Sequence, residues 1–231
     1  MQLIVLGRDS YPDRNGGTPQ RPRTMAGKDP KETARNRIVA AARKRFAHSG
    51  YAKTGMADLA ADCAMSPANL YRFFPGKLDI AEAIAMAAFE SHIARLRRDA
   101  ARPGRTGRQT LRDLMLGELR RTYLRREKDP RAFELVEAVA AGRPAFAAWM
   151  LARERAVIAE ILAGAERRGE LRIADRDFAA ELILSATMKF RHPPLWSQLA
   201  LPRLERELDG VLGLLLDGLA AQPQVLSPEI A

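Results

Sequence analysis

Residues 54–77 read TGMADLAADCAMSPANLYRFFPGK, and this stretch decides the fold. Ser66 is a preferred helix N-cap and Pro67 a preferred first helical residue, so a short helix begins here and ends before residues 75–76, Pro-Gly. Thr54 has a suitable side chain to cap a second short helix just before it. Two short helices joined by a tight turn, after a longer supporting helix, are typical of a helix–turn–helix.

The helix that begins at Ser66 has two faces of opposite chemistry. At about 100° per residue, its apolar residues share one side, which predicts packing against the two helices before it: Leu70, Phe73 and Phe74. The opposite side is small or polar and is expected to face outward: Ala68, Asn69, Tyr71 and Arg72.

The outward side carries chemistry that suits duplex DNA. Asn69 can bond bidentately to adenine and Arg72 to guanine, while the small Ala68 allows close approach and can touch a thymine methyl. The capped N-terminus of the helix suits a phosphate because of its free N–H groups and its dipole. Three further residues can donate to the DNA backbone: Thr54, Tyr71 and Lys77. A generic helical hairpin would share the cap and the apolar side, so spacing alone leaves both interpretations open.

Positive charge is concentrated around this stretch. The chain of 231 residues has a net charge of +10, and residues 28–77 hold ten Lys or Arg against four Asp or Glu, a net +6. A small basic unit on a nearly neutral body indicates a polyanion contact made by one module. The alternative is an ordinary solvated helix face, which charge alone does not separate from a nucleic-acid surface.

Outward from this stretch, the chain is expected to be helical almost throughout. A helix from Lys31 carries an apolar stripe and ends at Gly50. A Pro- and Gly-containing linker at residues 102–107 separates this part from the rest. Further helices are expected at 77–99, 108–126, 131–141, 145–168, 175–191 and 202–219, each bounded by a breaker or a cap. No alternating strand pattern and no internal repeat are found.

Composition excludes several classes of protein. One Cys and three His at unrelated spacings exclude a disulfide framework and give no metal site. No nucleophilic triad, paired carboxylates or Gly-rich phosphate loop is recognisable, so we expect no enzyme and no cofactor. Apolar runs are too short for a membrane span, and the start lacks the pattern of a secretory signal. These features predict a soluble cytoplasmic protein.

The segment around residues 33–80 resembles the DNA-binding motif of tetracycline-repressor-type (TetR family) transcription regulators. The Gly-Tyr at 50–51, the Leu-Ala at 59–60 and the Leu-Tyr at 70–71 fall in register with it, as do other positions: Thr54, Phe74 and Lys77. Two positions depart from the family pattern. Ala64 stands where the family often has Gly in the turn, and Gly55 replaces a common Ser or Thr that could contact a phosphate.

The resemblance implies a homodimer that places two such modules on a palindromic operator. It also implies a C-terminal helical domain that binds a small ligand and thereby releases the DNA. Thr54, Tyr71 and Lys77 match positions that commonly touch phosphates. The recognition-helix positions are matched by Ser66, Pro67, Ala68, Asn69 and Arg72.

Together these features predict an all-α chain of about nine helices in four parts. Residues 1–30 read as a disordered tail, in which Met25 is an alternative native start. Residues 31–78 are the helix–turn–helix domain, 79–220 the ligand-binding and dimerisation domain, and 221–231 a loose C-terminal tail.

The helices near 175–191 and 202–219 carry more apolar surface than one buried face needs. Leucines recur along the second of them, and small alanines in the first permit close approach. Two helices from each of two chains would form a four-helix interface, which is the usual dimer interface in the resembled family. The alternative is that both helices belong to the core of a single chain.

Bulky residues of the middle helices are candidates for lining a ligand pocket. Trp149 and Met150 are an unusual adjacent pair in an Ala-rich helix, and Trp196 follows a Pro-Pro loop where it could close a lid. The full set is Met115, Tyr123, Phe133, Phe146, Trp149, Met150, Phe190, His192 and Trp196. Each of them also fits an ordinary core position.

The sequence therefore predicts a ligand-responsive DNA-binding regulator, a repressor released from its operator by a small molecule. One alternative is a non-specific architectural DNA-binding protein, which needs neither a pocket nor a palindrome. The other is a helical enzyme whose site is assembled only in space. The sequence identifies neither the effector nor the operator.

Overall fold

The computed structural model describes residues 30–128, 131–195 and 198–221. The expected tails at 1–30 and 221–231, apart from Pro30 and Ala221, lie outside them, as do the candidate start Met25 and the candidate ligand residue Trp196. Within the described residues every regular element is helical, as predicted. The helices are α1 (Pro30–Ser49), α2 (Met56–Asp62), α3 (Pro67–Tyr71), α4 (Lys77–Ala100), α5 (Gly107–Lys128), α6 (Arg131–Gly142), α7 (Pro144–Arg167), α8 (Arg176–Ala186), α9 (Met188–Arg191) and α10 (Leu201–Ala221).

The chain divides into two compact units. Of the described residues, the first contains 30–87 and 131–150, and the second contains 88–128, 151–195 and 198–221. The first unit therefore holds α1, α2, α3, the start of α4, α6 and the start of α7. The second holds the remainder of α4 and α7 with α5, α8, α9 and α10.

The core of the first unit follows from the spacing of apolar residues. On α1, Ile38, Ala42 and Phe46 recur every fourth residue and are buried on one face. Gly50 ends this helix in the left-handed region, at φ +85°, and its N–H bonds to the carbonyl of Phe46. The face of α1 closes over apolar residues of the short helices and of α4: Leu59, Leu70, Phe74, Ile80 and Ile84.

The helix α6 and the start of α7 complete the first unit. Val139 and Phe146 are fully buried in the same core, and Phe146 stacks on Trp149 with ring centroids 5.7 Å apart. Between these helices, Arg143 donates to Asp79 at 3.0 Å and to Glu82 at 3.2 Å, which ties the turn to α4.

The core of the second unit is a helical bundle around α5 and α10. Leucines four residues apart on α10 are buried: Leu204, Leu208, Leu212 and Leu216. They pack with apolar residues of α5 and α7 in a single cluster, among them Leu111, Leu119, Val157 and Leu162. At the start of α5, Gly107 lies so close to Ala165 of α7 that an added Cβ would stand 2.4 Å from the Ala165 Cβ.

Two expectations about helix ends are wrong. The second helix is capped by Gly55, whose N–H bonds to the Asp58 carboxylate at 2.8 Å, while the Thr54 hydroxyl turns back to the Gly50 carbonyl. The helix predicted over 175–191 is broken at Thr187. Its hydroxyl bonds back to the carbonyl of Ile183 at 2.6 Å, and such back-bonding by a β-branched residue bends helices.

The described residues contain neither a single membrane-crossing helix nor a metal-binding cluster. Among the described residues no single helix is long and apolar enough to cross a membrane. One bent pair of helices, 133–142 with 144–167, has the length and composition of a membrane span and no other sign of one. No group of three or more His, Cys, Asp or Glu in that part of the chain is arranged to hold a metal ion.

Candidate functional site

The short helix α3 is fixed at both ends and from behind. At its start, the Ser66 hydroxyl accepts a hydrogen bond from the Asn69 N–H at 3.2 Å, and Pro67 occupies the first turn, as predicted. Leu70 and Phe74 have no exposed surface, so the helix is anchored in the core by its apolar side. Phe73 is half-buried beside them.

The polar side of α3 faces outward, which confirms the predicted orientation. Ala68 and Arg72 are exposed, and 51% of the Tyr71 surface is accessible. Asn69 is half-buried and lies on the same side, and its backbone N–H donates to the Ser66 hydroxyl. The arrangement offers a planar amide, a guanidinium and a phenol from one short helix on a rigid support.

The turn before α3 depends on one residue in an unfavourable backbone conformation. Ala64 has φ +53°, in the left-handed region that favours glycine. Its neighbour Met65 donates its N–H to the Ala60 carbonyl at 3.0 Å, which closes the turn. The turn thus requires the conformation that glycine would supply, and alanine adopts it at a cost.

Cys63, beside this turn, is a packing residue. It is buried, and burial together with nearby Asp62 raises the pKa of its thiol. The raised pKa disfavours the reactive thiolate, so Cys63 acts as a small core residue.

Two basic residues brace the helix–turn–helix from outside its core. Arg35 of α1 donates to the Phe73 carbonyl at 2.9 Å and lies 4.0 Å from the centre of the Phe74 ring. Lys77 donates to the Tyr51 carbonyl at 2.9 Å and lies 4.4 Å from the centre of the Tyr51 ring. Sequence reasoning missed Arg35, since the contact joins residues 38 positions apart and no local pattern marks it.

Two predicted phosphate contacts therefore also have structural roles. Thr54 is only 3% exposed, and its hydroxyl donates to the Gly50 carbonyl at 2.9 Å. Lys77 uses two donors on the carbonyls of Tyr51 and Ala52, which leaves one N–H of its ammonium for a further acceptor.

The unit that contains α3 also carries exposed basic side chains. Exposed cations lie on α1, in the loop after it and at the end of α3: Arg37, Arg43, Lys44, Lys53 and Arg72. Arg45 is instead bound to Asp62, and this hydrogen bond lowers the pKa of the Asp62 carboxyl. A cationic surface of this kind attracts a polyanion irrespective of its sequence.

The second unit contains a cavity of about 120 Å³ between α4, α5, α7 and α9. Of the predicted ligand residues, Met115 and Phe190 line it. Its walls are apolar, but polar groups from each of the four helices also reach it: His92, Glu118, Thr122, Glu154 and Arg191. Sequence reasoning missed these polar groups, since their spacing along the chain follows no known motif.

The polar groups of this cavity form a connected ionic network. Glu118 binds Arg95 at 3.1 Å and His92 at 3.2 Å, and Glu154 binds His92 at 3.3 Å and also Arg191. Burial raises the pKa of the Glu118 carboxyl, but bonds to His92 and Arg121 and the charge of Arg95 outweigh this and lower it to about 2. Glu118 is therefore a permanent anion at neutral pH.

The other candidate ligand residues lie elsewhere. Tyr123 packs against the core of the second unit without lining the cavity, and His192 is exposed. Three belong to the core of the first unit: Phe146, Trp149 and Met150. Phe133 is half-buried on α6 of that unit. Bulky residue types predict burial, but they do not tell which core a helix will join.

The helices predicted to form a dimer interface carry exposed leucines. Leu214 on α10 is 79% exposed, and Leu182 on α8 is 37% exposed. Both helices also bury leucines in the core of the second unit. The helix α10 therefore contributes one side to the core, as the alternative interpretation predicted, and exposes Leu214 on another side.

Comparison with protein-family models gives two matches. Residues 38–84 match bacterial regulatory proteins of the tetR family, and residues 107–212 match the tetracyclin repressor-like C-terminal domain. Together the matched ranges span well over half of the chain. A comparison with curated protein sequences gives no significant match.

Three of the solved structures with the same fold illustrate the similarity. A putative TetR-family regulator from Mesorhizobium loti has 17% identity and TM-score 0.65, over 83% of this chain and 98% of its own. Salmonella enterica GusR has 25% identity and TM-score 0.54, over 82% and 96%. Thermus thermophilus FadR, a TetR-family repressor in complex with lauroyl-CoA, has 24% identity and TM-score 0.54, over 85% and 100%.

Proposed function

Because the chain belongs to the TetR family of bacterial regulatory proteins and is a ligand-responsive DNA-binding repressor, we propose that it binds a palindromic operator as a homodimer through α3. In this function a small-molecule effector, bound in the second unit, releases the protein from the operator. The setting is the cytoplasm, where the DNA is.

One observation carries the proposal: the polar side of α3 is turned outward on an apolar anchor. Ala68 and Arg72 are exposed while Leu70 is fully buried. A short helix with one polar, exposed side and one apolar, buried side can enter a major groove, which is wide enough for one helix, while its apolar side stays packed in the core.

The residues of α3 divide into base-reading and backbone-binding groups. We assign base edges to Ala68, Asn69 and Arg72, because amide, guanidinium and methyl groups match the pattern of the major groove. Phosphate contacts are assigned to Thr54, Tyr71 and Lys77, with Ser66 and Pro67 placing the helix start near the backbone. For Thr54 this contact requires an existing hydrogen bond to be exchanged, since its hydroxyl donates to the Gly50 carbonyl and its N–H donates to the Tyr51 carbonyl at 3.3 Å.

The homodimer is proposed to form through α8 and α10. A nearly fully exposed Leu214 on a helix whose other side is buried marks an apolar face suited to a second copy. A two-fold dimer contains two copies of α3. The operator should therefore contain an inverted repeat whose half-sites are separated by about one helical turn or a multiple of it.

The effector is proposed to bind in the cavity of the second unit. The helix α4 runs without a break from Lys77, which braces the helix–turn–helix, to His92 and Leu96 at the cavity. A ligand that binds more tightly when α4 has one orientation than when it has another would shift the protein between conformations that bind DNA and conformations that do not.

Selection of bound fragments from a random duplex library tests the proposal. We expect one inverted repeat to be enriched, and its affinity to exceed that of scrambled duplex by roughly a thousandfold or more. Enrichment without any phased repeat would favour the architectural DNA-binding alternative. No binding above that of an unrelated basic protein would reject the function.

A further inference from the structure

The size of the cavity in the second unit limits its ligand to about one ring. Its volume is about 120 Å³, and its apolar walls include Leu96, Met115 and Phe190. An apolar cavity of about 150 Å³ holds benzene, so this smaller cavity admits at most one small ring. Drug-sized ligands need roughly 300 Å³ or more, so a multi-ring molecule does not fit this cavity.

One end of the cavity offers both hydrogen-bond donors and acceptors. Glu154 and Arg191 both line it and form an ion pair with each other. Among the described residues Glu154 also binds His92, which leaves lone pairs on its carboxylate unused. Arg191 has five N–H donors and is largely buried, so burial lowers its pKa. A ligand group placed here gains most if it both donates and accepts, as a hydroxyl does.

Each carboxylate that lines the cavity is already paired with a guanidinium group. Glu118 pairs with Arg95 and Arg121, and Glu154 pairs with Arg191. A ligand with a net charge would leave one charge uncompensated in a buried site, which is costly, whereas a neutral ligand keeps the balance.

We propose that the effector is a neutral, single-ring molecule bearing a hydroxyl group, of the phenol class, with its ring among the apolar walls and its hydroxyl between Glu154 and Arg191. The inference rests on the proposed function, in which this cavity is the effector site. The hydroxyl donates to the Glu154 carboxylate and accepts from the Arg191 guanidinium.

Three probes that share one ring and differ in charge test the proposal on the unaltered chain. They are phenol, benzoate and benzylammonium, added at equal concentration near pH 8 and at constant ionic strength. Phenol should raise the melting temperature through mass action, and calorimetry should give it an affinity at least about tenfold higher than that of either ion. Tighter binding of benzoate or benzylammonium would overturn the neutral assignment.

A pair of variants on α7 locates the site. Glu154→Gln keeps the volume and removes the acceptor charge, so phenol affinity should fall by at least about tenfold. Glu160→Gln is the matched control, because Glu160 lies on the same helix, is half exposed and pairs with Arg97 outside the cavity. An equal affinity in both variants would place phenol somewhere other than beside Glu154.

The outcomes separate the ligand class from the proposed function. If no probe changes the melting temperature of a protein that still binds its selected operator, the effector class is wrong and the function stands. If phenol binds at Glu154 but no duplex is bound, the proposed function fails while the ligand class holds.

Discussion

At the scale of single residues, Asn69 and Lys77 are proposed to touch DNA in different ways. Asn69→Ala should reduce the preference at one base of each half-site, because each bidentate base contact contributes roughly 1–3 kcal/mol of discrimination. Lys77→Ala should weaken binding to all sequences by the same factor. Repeating the duplex selection with each variant measures both effects.

An exposed asparagine on α1 supplies the control for base preference. Asn36→Ala should leave the selected sequence unchanged. If Lys77→Ala alters the preferred bases while Asn69→Ala lowers affinity evenly, the two roles have been assigned the wrong way round.

The turn at Ala64 gives a prediction about stability. Ala64→Gly should raise the free energy of unfolding by about 1 kcal/mol, because glycine adopts φ +53° without the strain that alanine bears. Ala57→Gly, at an exposed position inside α2, should lower it by a similar amount. Thermal denaturation measures both. Equal melting temperatures for the two variants would contradict the strain at Ala64.

Glu118 makes the second unit sensitive to acid. Its carboxyl has a pKa of about 2 in the folded chain against an ordinary value of 4.5. The stabilisation is therefore complete above about pH 5 and is lost as the pH falls toward about pH 2, a difference of roughly 3 kcal/mol.

Thermal denaturation across this pH range tests the assignment. Glu118→Gln should melt at a lower temperature near neutral pH, and its melting temperature should fall less than that of the unaltered chain on acidification. Parallel pH curves for the two proteins would show that another group carries the acid sensitivity.

At the scale of elements, periodicity predicted most of the helices but not all of their ends. The four-residue spacing of Ile38, Ala42 and Phe46 correctly predicted both the helix and its buried face. The apolar pattern predicted one continuous helix over 175–191, but the helix is interrupted at Thr187. The pattern missed the interruption because it contains no information about the hydrogen bond from the Thr187 side chain to the backbone. Met115 lines the cavity of the second unit, whereas Trp149 packs in the core of the first unit. The sequence did not separate them, because an apolar side chain predicts burial without specifying its packing partner.

The proposed interface on α8 and α10 leads to a prediction about assembly. Leu214→Glu should weaken the dimer by at least about a hundredfold, since a two-fold interface buries the new charge twice. Leu124→Glu is a matched control, because Leu124 is exposed on α5, outside the proposed interface. Light scattering over a range of concentrations measures the dissociation constant. A dimer that tolerates Leu214→Glu as well as Leu124→Glu would place the interface elsewhere.

At the scale of the whole molecule, the basic surface should make operator binding depend steeply on salt. A dimer that makes about six to ten phosphate contacts loses roughly 10³–10⁵ in affinity between about 50 mM and about 200 mM salt. Fluorescence anisotropy with the selected duplex gives the slope. Affinity that changes little with salt would show that few phosphates are contacted and that the charge around α3 is an ordinary solvated surface.

The most direct test of the central claim is a crystal structure of the protein with its selected duplex. We expect two copies of α3 in successive major grooves, about 34 Å apart or a multiple of it, with Asn69 and Arg72 within hydrogen-bond distance of base edges. A complex in which the outward side of α3 touches no base, or in which the two copies cannot reach one face of the duplex, would contradict the account.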